Sequence, residues 1–243
     1  MSNNFFRFKQ FTIYQDACAM KVTTDSCLFG SMVLKLIDDQ PIQHVLDIGT
    51  GTGLLSLMIA QQLPTVYIDA VEIDDGAYEQ AKDNINQSPW KNNITPIHAD
   101  IKEFNSSKKY DLIIANPPFY KNELKSPDNR KNQAHHQANL SPVELIKTIS
   151  ENLDPYGKFL LLLPFKMKDE WQILFKKFNL QTEHTVYAKQ TRNHPSFFRM
   201  IIKGGFITGN NIITQESEIT IKDENDQYSN DFINLLKDFY LHL

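Results

Sequence analysis

From residue 44 onward the sequence alternates short apolar runs with helix-length amphipathic runs, and this rhythm constrains the fold more than any single motif. Residues 44–48, 66–73, 94–99 and 110–115 read as strands, and residues 54–63 and 75–86 as the helices between the first three. Strands alternating with helices demand a parallel sheet covered on both faces. Residues 158–163 are nearly all Leu, as expected of a strand buried on both sides. Two late strands, 184–188 and 199–206, are joined by residues 189–198, too few for a helical crossover, so this pair should be antiparallel. The expectation is an α/β fold: a doubly wound, mainly parallel sheet with one reversed strand near its end.

Around this core, residues 25–37 read as a helix capped by Asp25 or Ser26, with Leu28, Phe29, Met32, Val33 and Leu36 on one face. Residues 141–153 open with Ser141, Pro142 and Glu144, a capping box with proline at the first helical position. Residues 168–178 form a further helix, 211–222 a tail strand and 228–241 a terminal helix. Domain organisation is expected to be one unit over 1–243: an extension at 1–40, a core at 41–206 and a C-terminal strand and helix at 207–243. With 243 residues, 41 % of them hydrophobic, the chain buries enough surface to fold without disulfides or a structural metal. Two cysteines, Cys18 and Cys27, make neither a four-thiolate zinc site nor a secreted disulfide scaffold. The longest apolar run, 159–165, is interrupted by Pro164 and is far too short to span a bilayer; the first ten residues lack a signal-peptide core. A soluble, cytoplasmic protein is expected.

Net charge is −4, which does not suggest a nucleic-acid binder, but the charge is uneven. Residues 158–203 carry nine basic and three acidic side chains, residues 204–243 two and seven. A local basic patch can meet a polyanion despite a negative total. Ordinary solvated faces give the same count, and both readings stay open.

Between the first strand and its helix stands Asp47-Ile48-Gly49-Thr50-Gly51-Thr52-Gly53. Glycines there let the backbone approach a ligand, at the end of the sheet where open α/β folds bind them. The dinucleotide fingerprint wants a third glycine at 54, which is Leu, and no Gly-Lys-Ser/Thr follows to cradle phosphate. Asp47 would repel a pyrophosphate but suits a cationic ligand. Glu72 ends the second strand, 23 residues after Gly49, where a carboxylate takes ribose hydroxyls. Asp100 follows the third strand, where it can accept from an adenine amino group. A ribose, an adenine and a positive end without phosphate describe S-adenosylmethionine. Asp47, Gly49, Thr50, Gly51, Gly53, Glu72, Ile73, Asp100 and Ile101 form the candidate cofactor set, with Asn116 beside them.

Asn116-Pro117-Pro118-Phe119 follows the fourth strand. Two prolines forbid continuing the ladder and stiffen the turn. The side-chain carbonyl of Asn116 and the carbonyl of Pro117 are then free to accept, and two acceptors suit a planar NH2 group. Accepting both hydrogens leaves the amine lone pair facing a methyl donor, and Phe119 can stack on a base. Asn116, Pro117, Pro118 and Phe119 are the candidate catalytic residues.

Taken in order, these motifs resemble the class I S-adenosylmethionine-dependent methyltransferases that modify planar amino groups, over roughly residues 19–206. Phe8-Lys9-Gln10-Phe11, the run 19–25 and Asp238-Phe239-Tyr240-Leu241 resemble the bacterial tRNA(Val) adenine-N6 methyltransferase family. That resemblance implies a seven-stranded Rossmann-like sheet, methylation of the adenine next to the anticodon, and a tRNA partner. It also implies that Lys21, Thr24 and Asp25 lie near the methionine end of the cofactor. The Asn-Pro-Pro-aromatic element is shared with enzymes acting on release-factor glutamine, DNA adenine and ribosomal RNA guanine, so it fixes reaction type better than substrate. Residues 120–139, with Lys121, Lys125, Arg130, Lys131 and His135, read equally as a surface loop or as an RNA clamp. Arg192, with His194, Phe197 and Phe198, marks a second RNA-contact candidate. Neither a metal nor a membrane is expected, and the chain is expected to be a monomer.

Overall fold

The computed structural model describes residues 4–18, 20–37, 41–117, 140–209 and 213–243. Strands β1 (Phe5–Arg7) and β2 (Thr12–Tyr14) form a small antiparallel ribbon that the sequence pattern does not announce. Helix α1 (Thr24–Leu36) follows. Its cap is Thr23, not Asp25 or Ser26: Thr23 is extended, and its hydroxyl and the Ser26 side chain bond reciprocally to each other's backbone amides. The Asp25 carboxylate is instead paired with Arg199 at 2.7 Å.

The alternating core then runs β3 (His44–Ile48), α2 (Leu54–Gln62), β4 (Tyr67–Glu72), α3 (Asp75–Asn86), β5 (Ile94–His98) and β6 (Tyr110–Ala115). It continues through α4 (Pro142–Asn152), β7 (Leu153–Pro164), α5 (Lys168–Lys177), β8 (Leu180–Thr191) and β9 (Arg199–Phe206). The chain closes with β10 (Gln215–Lys222) and α6 (Asn230–Leu236). The capping box at Ser141 and Glu144 forms as expected.

The main sheet is ordered β10-β8-β9-β7-β6-β3-β4-β5. Every neighbouring pair is parallel except those of β9, which runs against β7 and β8. The mainly parallel sheet with one reversed strand is therefore present, and the tail strand β10 brings its strands to eight. Side chains alternate between the two faces. Val45, Ile68, Leu112, Leu160, Ile201 and Ile219 pack with α1, α2, α3 and α6 on one face. Leu46, Val71, Ile113, Phe159, Leu161 and Ile202 pack with α4 and α5 on the other. A strand covered on both faces needs continuous apolar sequence, which is why β6 and β7 read as unbroken Ile and Leu. Gly204 lies where β7 and β9 meet, and a Cβ there would sit 2.3 Å from Phe159 Cζ.

Candidate active site

In the register, Ile48 pairs with Val71 on one side and Ala115 on the other, and Glu72 pairs with His98. The ends of β3, β4, β5 and β6 therefore stand side by side at one edge. The chain leaves β3 toward β4 on one side and returns to β6 on the other, so a switch point lies between β3 and β6. The glycine turn, Glu72, Asp100 and Asn116-Pro117 all lie at these strand ends.

The turn after β3 is tied down by the amides of Gly49 and Thr50, which donate to the Val71 carbonyl at 2.9 and 3.0 Å. Gly49 and Gly51 have φ of +69° and +58°, a region where only glycine is free of strain. A Cβ on either would meet nothing within 4 Å, so both open onto a cradle. Gly53 differs. It caps α2 in the left-handed region, and a Cβ on it would lie 3.6 Å from the Ala81 carbonyl and from Ile85 of α3.

Asp47 lies fully buried beneath this turn. Its Oδ2 accepts from the hydroxyls of Thr50 at 2.6 Å and Ser56 at 2.7 Å, while Oδ1 has no partner among the described residues. Burial pushes its carboxyl up to about 6, the two hydroxyls oppose that, and the nearby Glu72 charge adds to it. A buried carboxylate with one uncommitted oxygen beside an open glycine cradle suits a cationic group.

Glu72 is nearly buried, and its carboxylate is shared. Oε2 accepts from the Gly51 amide at 2.9 Å, and Oε1 from the amides of Ile73 and Asp74 at 2.9 and 3.0 Å. One side chain thus joins the glycine turn to the end of β4. Asp100 caps its own turn, accepting from the Lys102 amide at 2.9 Å, and pairs with the Lys102 ammonium at 3.2 Å. Ile73 is partly exposed beside Glu72, whereas Ile101 is buried in the second core. Asn116 is half-buried and Pro117 buried directly after β6. Pro118, Phe119, Lys121, Lys125, Arg130, Lys131 and His135 lie outside the described residues.

Several residues that support this edge are not in the sequence-based set. Asn84 of α3 accepts from the Tyr14 amide and donates to the carbonyls of Tyr14 and Thr52, joining the N-terminal ribbon to the glycine turn. Gln80 accepts from the Ala17 amide and Gln15 from the Val22 amide. The bonds of Asn84 and Gln80 tie residues 14–17 to α3. Cys18 is buried there, its thiol pushed up to about 12 by burial and by the charges of Glu72, Asp74 and Asp16, so it is a packing residue rather than a nucleophile. The signal for Asn84 and Gln80 is two amide side chains on the buried face of α3. Lys21 is exposed and Thr24 half-buried at the start of α1. Arg192 is exposed beyond the end of β8, 3.3 Å from Glu224. Among the described residues no group of three or more His, Cys, Asp or Glu is placed to hold a metal ion.

The family model for the methyltransferase small domain matches residues 25–187. A protein of Dyadobacter fermentans named tRNA1(Val) (adenine(37)-N6)-methyltransferase is 50 % identical over 162 residues, covering 67 % of this chain and 66 % of its own. One of the same name from Bacteroides thetaiotaomicron is 36 % identical over 244 residues, covering all of both chains. In fold, the chain is similar to a Listeria monocytogenes protein assigned to the class I S-adenosylmethionine-dependent methyltransferases. The TM-score is 0.61 at 16 % identity, over 85 % of this chain and 67 % of that one. The chain belongs to the tRNA1(Val) (adenine(37)-N6)-methyltransferase family, on a class I methyltransferase fold.

Proposed function

We propose that the protein methylates the N6 amino group of an adenine in tRNA, adenine 37 of tRNA1(Val), using S-adenosylmethionine. The observation that carries the chemistry is the adjacency of two strand ends. The open Gly49–Gly51 cradle with buried Asp47 follows β3, and Asn116-Pro117 follows β6, the strand hydrogen-bonded to β3. The tRNA substrate rests on the shared name of full-length relatives.

When bound, S-adenosylmethionine would supply a methyl group activated by its sulfonium, leaving as the neutral thioether, and the methylated amine would release one proton to solvent. The chain's residues do the rest by position and charge. Gly49 and Gly51 give the closest backbone approach, and Asp47 sets a negative charge under the cationic end. Glu72 has lone pairs left for a ribose after accepting its three amides, and Asp100 stands where the adenine edge of the cofactor would lie. Ile73 and Ile101 would flank it, and Lys21 and Thr24 would hold the methionine end. Thr50 acts through Asp47, and Gly53 by seating the turn on α3. Asn116 and the Pro117 carbonyl accept the two hydrogens of the target amine, holding its lone pair toward the methyl. Pro118 stiffens that turn and Phe119 stacks on the base. Lys121, Lys125, Arg130, Lys131, His135 and Arg192 meet RNA phosphates. The protein works as a monomer in the cytoplasm. No helix among the described residues is long and apolar enough to cross a membrane.

Labelled S-adenosylmethionine, the protein and unmodified bulk tRNA test this reading. After digestion the label is expected in N6-methyladenosine. Label absent from RNA but present on a release-factor glutamine or on DNA adenine would move the same catalytic turn to another substrate.

A further inference from the structure

The basic segment 158–203 and the acidic tail meet at one place. Lys168 Nζ lies 3.3 Å from Glu216, Lys189 Nζ 3.6 Å from Glu218, and Arg192 3.3 Å from Glu224. Each cation comes from α5, β8 or the turn after β8, and each carboxylate from β10 or the turn after it. Glu216 and Glu218 are two residues apart on β10, so they share a sheet face. That face also carries a ring cluster. Phe165, Tyr187 and Phe197 have centroids 5.1–5.6 Å apart, with Lys168 over Tyr187 and Lys189 over Phe197, each at 4.8 Å. The Tyr187 hydroxyl donates to Glu216, and with Lys168 it holds that carboxyl below its ordinary range.

These carboxylates are not what attaches β10 to the sheet. Its parallel ladder with β8 and the buried Ile219 and Ile221 do that. The Glu216, Glu218 and Glu224 side chains are 54 %, 61 % and 50 % exposed, and exposed pairs contribute only ~0–1 kcal/mol each. Such a row is easily exchanged for another anion. Its position is also informative. Residues 187–192 end β8 at the same sheet edge as Asn116, and β8 is three strands from β6, roughly 14 Å at the usual strand spacing. That distance is short enough for a few nucleotides of RNA to span from a base held at Asn116.

We propose that Lys168, Lys189 and Arg192 form a phosphate-contact surface for the RNA flanking the target base, and that Glu216, Glu218 and Glu224 occupy it in place of phosphates until RNA displaces them. The proposal rests on the RNA substrate argued above and adds where that substrate lies and what competes with it. Every phosphate bound there must displace a carboxylate, so unrelated RNA gains little, while a substrate also held at Asn116 overcomes the competition.

The test compares two triple variants with the parent, reading binding of a tRNA transcript and of an unrelated single-stranded RNA across a salt series. E216Q/E218Q/E224Q changes exposed side chains only. It should bind unrelated RNA several-fold tighter, with a log–log salt slope steeper by up to roughly 2, at ~0.7 per cation freed for a single strand. Its kcat on saturating tRNA should match the parent. K168Q/K189Q/R192Q should bind tRNA several-fold weaker, with a shallower slope and a raised KM. Parent-like binding and slope in both variants would overturn the proposal, and if the parent methylates tRNA in the same preparation the functional reading stands without it. A parent that neither binds nor methylates tRNA would overturn both.

Discussion

Asp47 is the residue whose chemistry the structure changes most. Its sequence position suggests a carboxylate for a cationic ligand, and its burial adds that the charge is costly. With the folded carboxyl at about 6 against 3.8 for the ordinary group, the folded chain holds the extra proton between those values. The stability this proton confers is present below pH 3.8, declines as pH rises through 6, and leaves about 3 kcal/mol of strain above that. Asp47→Asn should therefore melt higher than the ligand-free parent above pH 6, an advantage that vanishes near pH 4. A cationic ligand favours the ionised form. S-adenosylmethionine affinity of the parent should thus rise as pH climbs through about 6, whereas that of Asp47→Asn should be flat and about tenfold weaker, ~1.4 kcal/mol. Titration calorimetry at pH 5 and 8 reads both. At the same scale, Asn116→Ala should abolish transfer while leaving cofactor affinity nearly unchanged. Binding lost with turnover per bound cofactor kept would contradict its role. Asn84 shows in the sequence only as an amide on the buried face of α3, and the partners that define its role, 32 and 70 residues away, are set by the fold.

At the level of the element, the glycine turn works because three separate pieces fix it: Val71 carbonyl, Glu72 carboxylate and Asn84 amide. The strand end and the glycines were readable from local sequence, since positive φ selects glycine whatever the fold. The tie between Gly51 and Glu72 was not, because it depends on the β3–β4 register. Glu72→Ala frees three amides at once, so it should weaken cofactor binding at least tenfold and also lower the melting temperature. Gly51→Ala should lose binding too, with roughly 1–2 kcal/mol of backbone strain at its φ. Helix α1 shows the same limit on local reading. The sequence points to Asp25 or Ser26 as the cap, whereas Thr23 caps the helix and the Asp25 carboxylate is drawn to Arg199, 174 residues on. Thr23→Ala should cost about 1 kcal/mol in denaturant unfolding.

Across the whole molecule, the alternating pattern was enough to read the mainly parallel sheet and its reversed strand, since βαβ units leave little topological choice. The pattern could not reveal that the two chain ends meet. Phe8 bridges Tyr240, and the Lys9 amide donates to the Phe239 carbonyl at 2.8 Å. Phe6, Phe8, Tyr240 and Phe232 then form one aromatic cluster. Such contacts carry no periodicity, and β1 and β2 are too short to announce themselves. If extension, core and C-terminal elements form one unit, calorimetry should show a single transition, and Phe8→Ala should lower all of it by about 3–5 kcal/mol. Two transitions, with only the smaller one moved, would divide the chain.

The strand-end site is proposed to place one methyl on one adenine of a tRNA. The most direct measurement uses tRNA1(Val) transcribed without modification, beside a transcript with guanine at position 37. Close to one methyl per adenine-37 transcript is expected, recovered as N6-methyladenosine at that position, and none on the guanine transcript. Equal incorporation into both transcripts would contradict it.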